Sequence, residues 1–523
     1  MTDSKELIFE ETARTKLSAG IEKLTNAIKT TLGPNGRNIG LESSFGSPKI
    51  TSDSGSIVAD IELKDQYENM GASFCKEVAE KMKSSCGDGT TTAILLLSEL
   101  TREGMKNITA GTSPIELKRE MDQAVSLLLE ELNALAVPVK NSEEILHIAT
   151  VSASGDPLIG KMIADAMQQV GPQGVITIEA GKGTETSIKL VEGMEVDRGN
   201  LSPYFCTNLE KMSVELTSAL ILVTDKKIST IHEILPLVQH AATTGTPLFI
   251  IAEDIEGDAL ATLVINKLRG SLKISAIKAP AFGDQRKAYL EDIAILTGAT
   301  LISADKGMTL KEASPEVFGR ADRIEVTKDR TKIIGGQGLK EAIKNRILLI
   351  EGEIDKATSP YEIDKLKERK AKLAGGVAVI KVGAPTETEM QTKKQIFQDS
   401  LNSTYAAYDG GYVPGGGIAL LKTSHHLNTK GVGGAIVRKA CEAPFKQIVT
   451  NSGCNPSLFI EEVMKLGPSY GFNALSLQIE DLLKSNIIDP MKVIKNSLSF
   501  AASIAGVFFL SEVLIGDAPH DEN

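Results

Sequence analysis

Four short apolar runs in the middle of the chain set the tightest limit on its architecture. They are Ser218–Asp225 (SALILVTD), Pro247–Asp254 (PLFIIAED), Leu272–Pro280 (LKISAIKAP) and Ala299–Ser303 (ATLIS), and helical patterns separate them. Runs this short that are apolar on both faces read as buried strands, and strands alternating with helices predict parallel pairing in a β/α layer. The flanks obey a different period. Between about residues 7 and 134 the chain reads as mainly helical, with Leu17, Ile21, Leu24 and Ile28 at helical spacing before a stop at Gly33-Pro34. A later helix is predicted to open at Ser113-Pro114-Ile115-Glu116, where Ser caps, Pro takes the first helical position and Glu completes a capping box. Lys49 to Ile61, rich in Ile, Val, Thr and Ser, reads as short strands around a turn. Residues 339–374 read as a charged helical hairpin broken at a second capping box, Ser359-Pro360-Tyr361-Glu362. The apolar run GVAVIKVG (376–383) then leads into another helical region ending near residue 515. Two helix-rich ends around a β/α insertion are most simply packed into one domain, with the connector traversed twice.

At roughly 100–200 residues per domain, 523 residues predict about three domains. Apolar residues at 42% give enough surface to offset chain entropy, which excludes general disorder. The net charge of −11 argues against nucleic acid or an anionic membrane as the main partner. Five cysteines without a CxxC pair read as reduced, intracellular thiols, and the six histidines show no zinc-ligand spacing. The N-terminus lacks the apolar core of a signal peptide, and no apolar run approaches the ~18–20 residues that span a bilayer. The expectation is a cytoplasmic protein.

The strongest chemical signal is Gly87-Asp88-Gly89-Thr90-Thr91-Thr92, followed by the apolar helix AILLLSEL. Such a loop lets backbone N–H groups approach a phosphate, a helix N-terminus adds favourable partial charge, and a carboxylate can hold Mg²⁺. Its plainer alternative is a turn with a Thr cap. Thr31-Leu32-Gly33-Pro34-Asn35-Gly36 and Gly415-Gly416-Gly417 are further glycine-rich turns beside helices. Asp53 and Asp399 are weak signals singly; with Asp88 they form a set able to hold a metal and orient a water, most of what phosphoryl transfer asks of a protein. Gly155–Met162 nearly matches a P-loop, but Met162 offers no hydroxyl and Asp156-Pro157 reads as a helix start. In the β/α region, Leu260, Leu263, Val264, Ile265 and Leu268 spread too widely for one helix face, since positions 263 and 265 point about 200° apart. Ile231, Ile234, Leu235, Leu237 and Val238 show a similar excess. Either both sides are buried or an apolar groove is left open for other chains.

Together these pieces resemble the large bacterial (group I) chaperonins, the GroEL family, along essentially the whole chain. The resemblance rests on TLGPNGRN (31–38), GDGTTTA (87–93), VEGMEVDRG (191–199), LSPYF (201–205), KAPAFGDQRKA (278–288), KLAGGVAVIKVG (372–383), VPGGGIAL (413–420) and IIDP (487–490). It implies a multidomain α/β fold. A helical equatorial ATP-binding domain would come from residues 1–134 and 410–523, a small intermediate α/β hinge domain from 135–191 and 378–409, and an inserted apical β/α domain from 192–377. It also implies ATP with Mg²⁺, and K⁺ as a further candidate cation. Thr31, Leu32, Gly33, Pro34, Asp88, Gly89, Thr90, Thr91, Thr92, Gly416, Asn473, Ala474 and Asp489 resemble the nucleotide contacts, with Asp88 the metal ligand. Asp399 and Asp53 resemble the catalytic carboxylates, and Tyr204, Phe205, Leu235, Val238, Leu260, Val264 and Ile265 the groove for polypeptide and lid. The implied activity is an ATP-dependent chaperone, in heptameric, stacked rings, that encapsulates non-native polypeptides under a GroES-like co-chaperonin.

Some positions depart from the family's pattern. Ser52 stands where a lysine would neighbour the phosphates, Asn200 replaces an aromatic beside the groove, and Ser84, Gly410 and Asn455 replace acidic residues of expected ion pairs. These departures raise a second reading, a divergent paralogue that holds polypeptides but cycles weakly. A third, a small-molecule enzyme in the β/α region, finds no convergent catalytic set there.

Overall fold

The computed structural model describes residues 5–42, 49–153, 155–171, 174–181, 183–208, 212–357, 359–427 and 431–518. It divides into two compact units, Met1–Ala164 with Gln391–Asn523, and Asp165–Met390.

The first unit is largely helical and is drawn from both chain ends. Lys5–Phe9 pairs antiparallel with Val513–Asp517, from Lys5 opposite Asp517 to Phe9 opposite Val513. Helix Glu10–Ile28 buries Leu17, Ile21, Leu24 and Ile28, the spacing read from the sequence. It packs against helix Gln66–Ser85 at backbone contact: a Cβ on Gly20 would sit 1.8 Å from the Glu68 carbonyl oxygen, and one on Gly71 would sit 2.1 Å from that of Leu17. Helix Thr90–Thr109 packs on helix Met491–Leu510, whose buried face includes Val493, Ile494, Leu498, Ala501 and Phe508. This last helix corrects the expectation of no sufficiently long apolar segment. This 20-residue helix holds an 18-residue window of mean hydropathy 1.6, enough to cross a membrane by length and composition, although 61% of that window is buried within the protein. Lys492, Lys495 and Asn496 interrupt the apolar run in sequence and hid it.

Two local expectations fail here. Only Lys49–Thr51 of the 49–61 segment is a strand, paired with Ile39–Leu41; Ser54–Asp60 is a helix. Asp53 caps that helix through the N–H groups of Gly55 and Ser56, both at 3.1 Å, and the cap outweighs the β preference of the residues that follow. The helices beginning at Pro114 and Pro360 start where expected, but neither Ser113 nor Ser359 caps with its side chain. The proline already fixes φ for the first turn. A realised capping interaction lies instead at Thr230, whose N–H and hydroxyl both donate to Glu233 at 2.9 Å.

The second unit centres on a six-stranded sheet in the order Ile274–Lys278, Leu248–Ala252, Val214–Val223, Gly319–Val326, Thr331–Gly336, Gly193–Val196. The first three strands are parallel, as their apolar runs imply, and the remaining pairings are antiparallel. The fourth run, 299–303, does not form a strand; it touches the sheet through one bridge, Ile302 to Thr224. A separate three-stranded sheet has Val377–Val382 at its centre, parallel to Val175–Ala180 and antiparallel to Ser187–Val191. The charged hairpin is helices Lys340–Lys356 and Pro360–Ala374. Buried Asp292 tethers both, accepting from Arg346 Nε and Arg369 Nε at 2.7 Å each. An unpaired carboxylate there would be costly, so the three charges stand or fall together. The polar tail from residue 519 and residues 428–430 lie outside the described residues.

Candidate functional site

A cavity of about 210 Å³ opens in the first unit where three chain turns and one helix converge. A short 3₁₀ turn, Lys29–Thr31, ends the first helix and delivers Thr31, Leu32 and Gly33 to its wall. Asn451 Nδ2 holds this turn by donating to the carbonyls of Lys29 at 2.9 Å and Leu32 at 2.8 Å. Ser52, Asp53 and Ser54 form a second wall, Gly87 to Thr92 a third, and Asp399 on helix Glu387–Gly410 faces them.

The Gly87–Thr92 wall is a helix N-terminus with its approach stripped of side chains. Gly89 has φ 83°, and a Cβ there would lie 2.4 Å from Val493 Cγ1 and 2.9 Å from Met82 Cε, so both the backbone twist and the space demand glycine. The first N–H groups of helix Thr90–Thr109 have no partner within the helix and carry its positive end. Asp88 accepts from Ser403 Oγ at 2.5 Å and from the Gly89 N–H at 2.5 Å. Asp53 is anchored by its capping bonds and by Ser56 Oγ at 2.5 Å. Burial pushes Asp399 up to about 8, the negative charges of Asp88 and Asp53 add to the rise, and a 2.8 Å hydrogen bond from Gln395 and the charge of Lys83 oppose it. Three acids therefore share one small space, an arrangement that favours cations.

Donors and charges fit a metal–polyphosphate pair. Among the described residues no three His, Cys, Asp or Glu side chains form a metal-binding group. Mg²⁺ needs only one or two carboxylates and leaves its other positions to phosphate and water. Thr90, Thr91 and Thr92 add hydroxyls at the helix start.

The remaining expected nucleotide contacts lie in the same unit but do not line this cavity. Pro34 is exposed. Gly416 lies beside the Phe472 carbonyl, and Gly415 beside Ile488 and Asp489, so the triglycine turn abuts strands Tyr470–Asn473 and Ile488–Pro490. Asn473 closes the turn after its strand by accepting from Leu475 N–H at 2.9 Å, and Ala474 accepts from Asn35 Nδ2 at 2.6 Å. Burial, followed by the charge of Asp88, pushes Asp489 up to about 7. The near-P-loop is a helix start: Asp156 accepts from the N–H groups of Leu158 at 2.9 Å and Ile159 at 3.3 Å. Sequence reasoning missed Asn35, Asn451 and Ser403; only Ser403 left a signal, four residues beyond Asp399 on the same helix face.

In the second unit, helices Leu235–Thr244 and Gly257–Leu268 divide their surplus apolar residues between two faces. Leu237, Ala241, Ala259 and Leu263 are buried in the core. Leu235, Val238, Leu260 and Val264 are half-buried, while Ile265 is 46% and Leu268 62% exposed. Helix Gly257–Leu268 packs on the Pro203–Phe205 turn. Tyr204 on that turn is exposed, but Phe205 is fully buried in the core, which removes it from the expected groove surface. Neighbouring residues of a 3₁₀ turn lie about 120° apart, so one can be buried while the next is exposed.

A helical unit drawn from both chain ends and interrupted in sequence by an inserted β/α unit is the architecture expected of the ATP-driven chaperonins. The TCP-1/cpn60 chaperonin family model matches residues 24–519, and the chain belongs to that family. It is 55% identical to Chaperonin GroEL 3 of Protochlamydia amoebophila (strain UWE25), over all of this chain and 99% of that one. The crystal structure of the chaperonin gp146 from bacteriophage EL 2 (Pseudomonas aeruginosa) in the presence of ATP-BeFx has the same fold, with a TM-score of 0.72 at 19% identity over 97% of this chain and 98% of that one. The protein is thus an ATP-dependent chaperonin with chaperonin ATPase activity, and the weakly cycling holdase is not favoured.

Proposed function

We propose that the 210 Å³ cavity is the hydrolytic end of the ATP site and that its turnover drives the refolding of non-native polypeptides. The observation that carries this reading is the convergence of the Gly87–Thr92 helix start with Asp88, Asp53 and Asp399 in one cavity. In this reading the N–H groups and hydroxyls of Gly89 to Thr92 bind phosphate oxygens, and Asp88 holds Mg²⁺, which when bound offsets charge on the transferring phosphoryl group. Asp399 orients the attacking water, with Asp53 beside it. Thr31 to Gly33 close the phosphate side, with exposed Pro34 following them outside the cavity, while Gly416, Asn473, Ala474 and Asp489 receive base and ribose; K⁺ is a second cation suited to the same acidic surroundings. Ser52 supplies no positive charge, so the helix N-terminus and the metal carry more of the neutralisation.

The half-buried apolar faces at Leu235, Val238, Leu260, Val264 and Ile265, together with Tyr204, support binding of non-native polypeptide and of a GroES-like lid. The division into 1–134 with 410–523, 135–191 with 378–409, and 192–377 belongs to this proposal, as do heptameric, stacked rings working in the cytoplasm. Refolding of an aggregating client with ATP and a GroES-type lid tests it. Leu260→Ser with Val264→Ser should abolish client capture while ATP turnover persists. Undiminished capture would contradict the assignment of the apolar faces.

A further inference from the structure

Helix Glu387–Gly410 brings more than Asp399 to the cavity. Ser403, one turn further along, is fully buried, and its hydroxyl donates to Asp88 Oδ2 at 2.5 Å across 315 positions of sequence. Neighbouring hydroxyls on this helix behave differently. Ser400 donates to the Ala149 carbonyl and Thr404 to the Ser400 carbonyl, each at 2.6 Å, so both are bound to backbone. Ser403 instead meets a carboxylate, and a hydroxyl–carboxylate bond is short and strong because the acceptor is charged. The contact is built on both sides: Asn402 packs against Gly87 so closely that a Cβ there would lie 2.0 Å from Asn402 Nδ2.

We propose that Ser403 is a positioning residue for the divalent cation. Its hydroxyl fixes one Asp88 oxygen, leaving the carboxylate a single rotamer in which to meet the metal. Partners of this kind beyond the direct ligands typically change metal affinity 10–100-fold when removed. The bond also puts the metal ligand and the water-orienting carboxylate under the control of one helix, so a shift of that helix moves both. The inference rests on the reading of Asp88 as the metal ligand.

The test measures Mn²⁺ affinity by electron paramagnetic resonance in the presence of ADP, alongside the Mg²⁺ dependence of ATP turnover. Ser403→Ala should weaken Mn²⁺ binding and raise the half-saturating Mg²⁺ by about tenfold, more than it lowers kcat. Ser403→Thr keeps the hydroxyl and should restore affinity. A merely structural role would lower the melting temperature in EDTA and leave Mn²⁺ affinity unchanged, which would overturn the proposal. So would a folded Ser403→Thr that binds as poorly as Ser403→Ala. Asp88→Asn separates the two layers. If it loses Mn²⁺ affinity while Ser403→Ala does not, the role of Ser403 alone fails; if neither loses affinity, the assignment of Asp88 fails and this inference goes with it.

Discussion

Asp399 carries the sharpest residue-scale consequence. Its folded pKa of about 8 lies above its ordinary 3.8, so proton binding favours the folded form. The stability it contributes is fully present below pH 3.8 and is lost as pH rises through about 8. In nucleotide- and metal-free protein, Asp399→Asn should therefore gain melting temperature over the parent at pH 9 relative to pH 5. A difference that did not vary with pH would contradict the cause assigned to the shift. Gly89 makes a second residue-scale case. Gly89→Ala places a side chain at φ 83° and against Val493, and should lower stability by about 1–3 kcal/mol in denaturant titrations, with loss of nucleotide affinity. The glycines and Asp88 were legible because a short string carries their chemistry, whereas Asp53 and Asp399, weak singly, took their roles from the resemblance alone. The hold of Asn451 on the Lys29–Thr31 turn was not, because it joins residues 422 positions apart.

Elements were legible where one period dominates. Helix Glu10–Ile28 and the three parallel strands follow their apolar spacing, while the 49–61 segment does not, because a single aspartate cap started a helix among β-favouring residues. The run at 299–303 shows a different failure. Its residues suit a strand, but only Ile302 forms a β-bridge while Thr300 bonds instead to the Val317 carbonyl, and a strand needs a continuous neighbour to exist. Packing between elements left almost no trace in the sequence. The crossing of helices Glu10–Ile28 and Gln66–Ser85 depends on Gly20 and Gly71, which spacing alone marks as ordinary interior glycines. Gly20→Ala, harmless or favourable in an isolated helix, should here cost about 1–3 kcal/mol by forcing the helices apart. A thermal melt no lower than that of the parent would show that the pair can separate freely.

At the scale of the whole molecule, the chain leaves its first unit after Ala164 and returns at Gln391, so the site is assembled from segments near residues 31, 53, 88 and 399 that no local window contains. Helix-rich ends around a β/α middle made that return legible; the family strings made its purpose legible. The charge pattern adds a constraint: Asp88 and Asp53 both raise the pKa of Asp399, so a cation bound among the three acids should draw that pKa back down. The central claim is that this cavity hydrolyses ATP without a lysine at position 52. Mg²⁺-dependent ATP hydrolysis by the purified protein beside its Asp399→Ala variant tests it directly. Steady turnover in the parent that falls at least about a hundredfold in the variant is the predicted result. Equal turnover in both, or none in the parent, would contradict it.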